Sequence, residues 1–371
     1  MPRESTDPEN VSILIDGKRF DYWEDITLKL MMDNFSTAEF KMPFEPDRIE
    51  FRKIFRPFSF KPLTVLIDDE PLFTGTLVGV EPERTAEESS ATISGYSLPA
   101  VIQECTAHGS SVPHSWEKIG LRAVTESILA PFKLSVAMMG DEGAKFERLA
   151  LKEGKKIYEF LVELAQQRGM VISNTKGGDL LYWRSVEPGN PIARIAEDVQ
   201  ALVNISAKFN AQEYYSEVTG FTPASRRKPG TQHTEPNPWL RDTLRPLSFH
   251  LDDIDKGDVV QATKAKLGRV FANMAAYSVE NIPTWRDPNG KLWTPNTTLK
   301  LLAPSAMCYH ESELIIRNVT LNQSSKKWTS SLDLILPGAF SGKIPQHVPW
   351  EEEAIKPDYF DMDYLLSGQT F

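Results

Sequence analysis

Two stretches of the sequence decide the fold. TLVGVEPERTAEESSATISGYSL occupies residues 76–98, and ELIIRNVTLNQSSKKWTSSLDLIL occupies residues 313–336. In each stretch, two runs of alternating apolar and polar residues flank a polar segment. Alternation with a period of two is typical of strands that bury one face. Each stretch therefore predicts a pair of antiparallel strands.

Three further pairs of similar segments precede these stretches in the same order. The pairs are YWEDIT (22–27) with YYSEVT (214–219), FSTAEFKM (35–42) with FANMAAYSV (271–279), and LTVLIDD (63–69) with TLKLLAP (298–304). Four matches in one order predict an internal duplication, whereas generic strand alternation is the competing explanation. Because short strands at this spacing favour sandwiches and barrels, we predict two homologous antiparallel β-barrels.

The segment between the two copies has a different pattern. Residues 117–132 and 154–170 carry apolar side chains at helical spacing, and residues 170–184 read as a hairpin. The fold class is therefore α+β, mainly β, with a small α+β module between the barrels. The predicted domains are a first β-barrel (1–103), the module (104–190), a second β-barrel with an inserted Pro-rich loop and helix (191–345), and an acidic, aromatic C-terminal tail (346–371).

The composition argues against several classes of protein. Of the 371 residues, 41% are hydrophobic and 25% charged, and the formal net charge is −10. A negative net charge argues against a protein that grips nucleic acid by neutralising phosphates. The two cysteines, Cys105 and Cys308, lie far apart and form no CxxC pair, so we predict no disulfide framework. No apolar run is long enough to span a bilayer, so we predict no membrane insertion.

The sequence carries no motif that predicts catalysis or cofactor binding. It lacks a phosphate-binding G-x-x-x-x-G-K-[ST] loop, a G-x-G-x-x-G fingerprint and a G-x-S-x-G nucleophile turn. Its six histidines form neither H-x-H nor H-E-x-x-H, so no zinc site is predicted. We therefore predict a protein that is not an enzyme and that uses no cofactor or metal.

Three blocks of sequence resemble a known family. They are residues 91–107, residues 154–184, and residues 277–301 followed by 314–340. The last block contains a W-x-x-P-x-G-x-x-W-x-P-like run and a terminal P-x-x-F, made by Trp285, Pro288, Gly290, Trp293, Pro295, Pro337 and Phe340. In these features the chain resembles the tail baseplate hub proteins of Mu-like myophages. That family is related to late control protein D and to the N-terminal part of VgrG.

The resemblance implies a structural role in a virion. It implies a homotrimeric ring with pseudo-sixfold symmetry, a tail tube protein on one face and a tail spike protein on the other. Other baseplate proteins would surround the ring, and DNA would pass through its channel without specific binding. The expected location is the tail baseplate, assembled in the host cytoplasm.

We predict subunit or partner contacts for Trp285, Trp293, Trp239, Tyr359, Phe360 and Tyr364. For Trp285 and Trp293 two interpretations compete: core or interface packing, which aromatic residues usually serve, and an exposed aromatic platform that binds a host receptor. Two functions from other classes stay open at this point: a tail-associated cell-wall glycan hydrolase and a host-receptor binding module.

Overall fold

The structure is a computed structural model of the whole chain. It describes residues 10–20, 22–107, 109, 113–199, 203–222, 230–251, 258–324, 327–345 and 347–351. Within these ranges, no helix has both the length and the apolar character needed to cross a membrane.

The first unit is built from seven strands and one short helix. Its strands bury every second side chain, which is why the alternating segments form a sheet with one covered face. The elements are β1 (Val11–Ile15), β2 (Lys18–Phe20), β3 (Asp25–Met31), β4 (Thr37–Pro43), α1 (Ile49–Ile54), β5 (Pro62–Ile67), β6 (Glu70–Arg84) and β7 (Ser89–Ser97).

The middle module combines two amphipathic helices with two small sheets. Leu121, Val124, Ile128, Leu161 and Leu164 face a separate hydrophobic core, as helical spacing predicts. The elements are β8 (Ser115–Ile119), α2 (Leu121–Leu129), β9 (Val136–Met138), β10 (Phe146–Ala150), α3 (Ile157–Gln167), β11 (Val171–Asn174) and β12 (Leu180–Trp183). The predicted hairpin is confirmed, since β11 and β12 pair antiparallel.

The second unit contains nine strands and the longest helix of the described chain. Three of its strands, β15 to β17, form a separate side sheet that lies next to the helix in sequence. The elements are β13 (Arg194–Ala196), β14 (Asn204–Phe209), β15 (Glu217–Phe221), β16 (Gln232–Pro236), β17 (Pro246–His250), α4 (Asp258–Met274), β18 (Ala275–Ile282), β19 (Thr298–Ala303), β20 (Cys308–Ser324) and β21 (Lys327–Ile335). Part of the predicted Pro-rich loop is thus the strand β16, whereas residues 223–229 lie outside the described residues.

The two units have the same strand order. In the first unit the neighbours run β3-β4-β7-β6-β5-β1, and in the second they run β14-β18-β21-β20-β19-β13. The two orders match strand for strand, with one difference in direction: β1 pairs antiparallel with β5, whereas β13 pairs parallel with β19. The duplication predicted from the sequence is therefore present as a repeated topology.

Two details of the predicted duplication are corrected by the structure. Residues 214–219 lead into the side sheet, so they are not the counterpart of β3; that counterpart is β14. The described strands also form open sheets instead of closed barrels. The reason is that β3 pairs with β20 of the second unit, which merges both units into one thirteen-stranded sheet.

Candidate assembly interfaces

The two motif tryptophans lie inside the protomer. Trp285 is 1% exposed and Trp293 is 3% exposed, and both belong to the main hydrophobic core. The Nε1 atom of Trp285 donates hydrogen bonds to the backbone carbonyls of Asn322 (3.0 Å) and Thr329 (3.1 Å). This burial argues against the predicted contacts of the two rings with a neighbouring subunit or partner, because almost none of either ring is accessible at the protomer surface.

The other four predicted interface residues lie near the C-terminal end of the chain or pack against it. Trp239 is half-buried, and its Nε1 atom donates to the carbonyl oxygen of Pro345 at 2.9 Å. Tyr359, Phe360 and Tyr364 lie outside the described residues. A role for these four residues in subunit or partner contacts stays a prediction.

An internal joint connects the two units edge to edge. We use this name for the antiparallel pairing of β3 with residues 318–323 of β20. Its register runs from Asn318 opposite Met31 to Gln323 opposite Ile26. Apolar side chains on both strands, including Leu28 and Leu321, are fully buried in one core that spans the two units. The joint therefore combines a backbone hydrogen-bond ladder with continuous apolar packing.

Polar side chains fix the register of the internal joint. The Nε1 atom of Trp23 donates to Oε1 of Gln323 at 2.9 Å. The hydroxyl of Thr27 donates to Oδ1 of Asn322 at 3.1 Å. Thr27 and Asn322 also stand directly opposite each other in the ladder. A one-residue slip would break both hydrogen bonds and turn the buried side chains toward solvent.

A charged cluster lies at the end of the internal joint. The guanidinium of Arg317 donates two hydrogen bonds to the carboxylate of Asp33, at 3.0 Å from Nε and 2.8 Å from Nη2. The backbone N–H of Met32 donates to the carbonyl of Arg317 at 2.9 Å. Burial lowers the pKa of Arg317, but the hydrogen bonds and charge of Asp33 outweigh it, so the pKa is raised overall.

The middle module and α4 also reach this cluster. The Tyr158 hydroxyl of α3 donates to the Asp33 carbonyl at 3.4 Å, and burial raises the pKa of Tyr158 to about 12. Burial lowers the pKa of Arg269, in α4, to about 10, while the negative charge of Asp33 opposes that shift. Both arginines face the Phe340 ring, with guanidinium carbons 5.8 Å (Arg269) and 5.5 Å (Arg317) from its centroid. Asp33 thus binds Arg317 of the second unit through its carboxylate and Tyr158 of the middle module through its backbone carbonyl.

The sequence contained a signal for Arg317 that the predictions did not use. In LIIRNVTLN (314–322), three apolar residues are followed by two polar ones, which interrupts the alternation. The structure has a β-bulge at this position, where the register of β20 on β21 shifts between Ile316 and Asn318. A bulge re-aims a side chain, and here it directs Arg317 toward Asp33.

Two features that catalytic sites often use, metal ligands and reactive thiols, can be judged directly from the described side chains. They contain no group of three His, Cys, Asp or Glu side chains that could hold a metal ion. Cys105 and Cys308 are free, and burial raises the pKa of the Cys308 thiol, which disfavours the reactive thiolate.

Several strand edges lack a partner within the part of the chain that the structure describes, among them two edges of the main sheet. One belongs to β6 beyond Leu77, on the side away from β7. The other belongs to β14, on the side away from β18. Unpaired edges present rows of free N–H and C=O groups, so they are natural sites for pairing with another strand.

Duplicated units that share one sheet define a β-rich fold, and comparisons with known proteins show which proteins the chain is similar to. Residues 100–184 match the family model for the second domain of gp44-like baseplate hub proteins. The chain is 22% identical over 275 residues to baseplate hub protein gp44 of Escherichia phage Mu, covering 70% of this chain and 71% of that protein. The predicted resemblance to Mu-like baseplate hub proteins is confirmed.

Two solved structures share the fold. The 43 kDa tail protein of prophage MuSo2 from Shewanella oneidensis aligns with a TM-score of 0.72 at 18% identity, over 90% of this chain and 99% of that chain. The tail protein from Neisseria meningitidis MC58 aligns with a TM-score of 0.74 at 14% identity, over 90% of this chain and 98% of that chain. At these identities the likeness establishes the fold.

Proposed function

We propose that this chain is the central hub of a contractile phage tail baseplate and that three copies form a ring. In this proposal the ring joins a sixfold tail tube to a threefold spike and leaves a channel for DNA. The similarity to the baseplate hub protein of phage Mu and the match to a hub family domain support this role.

The repeated strand order carries the proposal. Each protomer holds two units whose strands neighbour one another in the same sequence. Three protomers around an axis would place six similar units in a circle, with true threefold and approximate sixfold symmetry. Such a ring can meet a sixfold partner on one face and a threefold partner on the other.

The charge of the chain suits a DNA channel. The net charge of −10 is repulsive toward DNA overall, which would let DNA pass without specific binding. The role as proposed is mechanical, and no chemical step is needed for it.

Mass measurement in solution tests the ring directly. Light scattering on the purified chain should give three times the protomer mass, and electron-microscopy class averages should show a ring with six similar lobes. A monomer that persists at high protein concentration and low salt would overturn the proposal.

Partner binding tests the position in the tail. The assembled chain should bind the tail tube protein and the spike protein of the same phage when the purified components are mixed. Clearing of purified bacterial cell wall by the chain alone would favour the hydrolase and contradict the purely mechanical role.

A further inference from the structure

Matching β-bulges align the two units residue by residue. The register of β6 on β7 shifts between Leu77 and Gly79, just as that of β20 on β21 shifts between Ile316 and Asn318. Val78 is therefore the counterpart of Arg317. From this point the β6 segment 79–84 is equivalent to the β20 segment 318–323, which forms the internal joint.

The alignment extends across the sheet to the opposite edge. In both units, four apolar residues lie side by side on neighbouring strands. The four are Ile26, Phe40, Ile93 and Val80 in the first unit, and Ile205, Val279, Leu332 and Val319 in the second. Because Ile26 and Ile205 occupy the same place in these rows of four residues, DITLKL (25–30) is the counterpart of NISAKF (204–209).

The unpaired edges of β6 and β14 are the counterparts of the two edges that meet in the internal joint. In the internal joint, the edge of β20 in the second unit receives β3 of the first unit. The equivalent edge of β6 and the equivalent strand β14 have no strand partner among the described residues. Val78, Glu81 and Lys208 are exposed there, and Phe209 is 41% exposed.

We infer that the β6 segment 79–84 pairs antiparallel with β14 of a second copy of this chain, in the register of the internal joint. The inference rests on the proposed ring and names the contact that builds it. The internal register sets Val319 opposite Leu30 and Thr320 opposite Lys29. Transferred to the open edges, it sets Val80 opposite the partner's Phe209 and Glu81 opposite the partner's Lys208.

The chemistry of the paired positions is complementary. Glu81 and the partner's Lys208 form an opposite-charge pair, and Val80 and the partner's Phe209 form an apolar–aromatic pair. Glu83 stands opposite the partner's Ser206, as Asn322 stands opposite Thr27 in the internal joint. All these pairings follow from the single register that the matching bulges set.

Pro82 would limit which strands can pair with the β6 edge. Proline has no backbone N–H, so this ladder would have one hydrogen bond fewer than a ladder without proline. Proline and charged residues are also typical of edges that avoid indiscriminate pairing. An edge with Glu81, Pro82 and Glu83 would accept a strand that offers a lysine and reject apolar strands.

The direction of the contact leads to a ring. Because β6 belongs to the first unit and β14 to the second, each copy uses one edge to bind the next copy and the other edge to bind the previous one. Such head-to-tail contacts close into rings when the rotation between copies allows it. First and second units then alternate around the circle, joined by internal and intermolecular joints in turn.

Disulfide trapping tests the register. In a Cys105→Ser background, the double variant Glu81→Cys/Lys208→Cys should form linked multimers, up to three chains, under mild oxidation, because directly opposed positions allow a disulfide. The matched control is Glu81→Cys/Lys29→Cys. Lys29 is the counterpart of Lys208, but β20 already covers its strand, so this control should form no links between chains.

Charge exchange tests the same contact without cysteines. Glu81→Lys and Lys208→Glu should each raise the protein concentration needed for ring formation by about fivefold, and the double exchange should restore the original value. Both residues are exposed, so the variants keep the protomer fold, which circular dichroism verifies.

The outcomes separate this inference from the proposed function. A chain that never assembles would overturn both. Rings of normal mass that show no trapping of the 81/208 pair and no response to charge exchange would overturn the strand pairing and leave the hub role intact. A disulfide formed within one chain would also overturn the pairing between copies.

Discussion

The first and second units share their strand ladder and differ in what connects the strands. In the first unit β3 and β4 are linked by residues 32–36, whereas in the second unit β14 and β18 are separated by residues 210–274, which hold the side sheet and α4. Each strand of the ladder must hydrogen-bond to its neighbours, so the strand order is the same in both units. The connections are free of that constraint, and they carry the contacts that differ between the units.

The connections between β4 and β5 and between β18 and β19 show this contrast most clearly. In the first unit, this connection exposes apolar side chains, with Phe58 at 89% and Ile49 at 65% exposure. In the second, the equivalent connection turns inward and buries Trp285 and Trp293 in the core. Both connections thus bury apolar side chains in the core, including Ile54 and Phe55 in the first unit, but the first connection also exposes large apolar side chains at its surface.

Replacing Trp285 should have the largest effect on the free energy of unfolding. Trp285→Ala removes a fully buried ring and two hydrogen bonds to backbone carbonyls, so it should lower the free energy of unfolding by about 4 kcal/mol. Phe58→Ala, in the equivalent connection, is the matched control and should change it by less than about 0.5 kcal/mol. Urea unfolding measures both, and equal losses would contradict the contrast between the two connections.

The charged cluster gives the next largest effect. Arg317→Val places at the second bulge the residue type that Val78 provides at the first, and it leaves Asp33 without its bidentate partner. We expect a loss of about 2–3 kcal/mol, below the full value for a buried pair because both side chains are partly exposed.

A double-mutant cycle sharpens this result. Asp33→Asn combined with Arg317→Val removes both charges, so the double variant should lose less than the sum of the single losses. The expected coupling is about 1–2 kcal/mol. Strict additivity would show that the ion pair does not hold the internal joint.

The raised pKa of Tyr158 predicts that alkaline pH weakens the contact between the middle module and Asp33. Its pKa is raised by burial from 10.0 to about 12, so the stability it contributes is complete below pH 10 and is lost as the pH rises through about 12. Arg269 has the opposite effect on the pH dependence of stability, since its pKa is lowered from 12.5 to about 10. Its contribution to the free energy of unfolding therefore rises as the pH rises above 10.

Tyr158→Phe tests this balance. The variant should lose stability less steeply than the parent between pH 10 and 12, by up to about 2 kcal/mol at the upper end. Stability curves at closely spaced pH values measure the difference, while other tyrosines contribute equally to both proteins. Parallel curves would contradict the assignment.

The smallest effect compares equivalent positions of the two joints. Thr27→Val removes the hydrogen bond to Asn322 in the internal joint and should cost about 1 kcal/mol of protomer stability. Its counterpart Ser206 is exposed, so Ser206→Val should leave protomer stability unchanged within about 0.5 kcal/mol and weaken only ring formation. Equal effects on the isolated protomer would contradict the equivalence of the two positions.

Much of the fold could be predicted because the alternation of apolar and polar residues shows which side chains of a strand are buried. The segments 35–42, 63–69 and 76–98 fall on β4 to β7, and their partners fall on β18 to β21, apart from residues 271–274, which end α4. The match of 22–27 with 214–219 was wrong because the shared letters lie outside equivalent strands. NISAKF (204–209) shares the pattern of DITLKL (25–30), but hydrogen-bond register was needed to see it. The buried positions of Trp285 and Trp293 followed from long-range contacts that spacing does not reveal.

The sequence by itself determined which segments alternate, that they occur twice in one order, and that a module with amphipathic helices separates the copies. These properties depend on residues that are close together in the chain, because the spacing of apolar residues shows directly which side chains are buried. The tertiary structure decided that β3 leaves its own unit to pair with β20, and that Arg317 reaches Asp33 across 284 positions of sequence. Strand pairing over such distances depends on the competition among all available edges, and only the folded chain shows which edges are taken and which remain open.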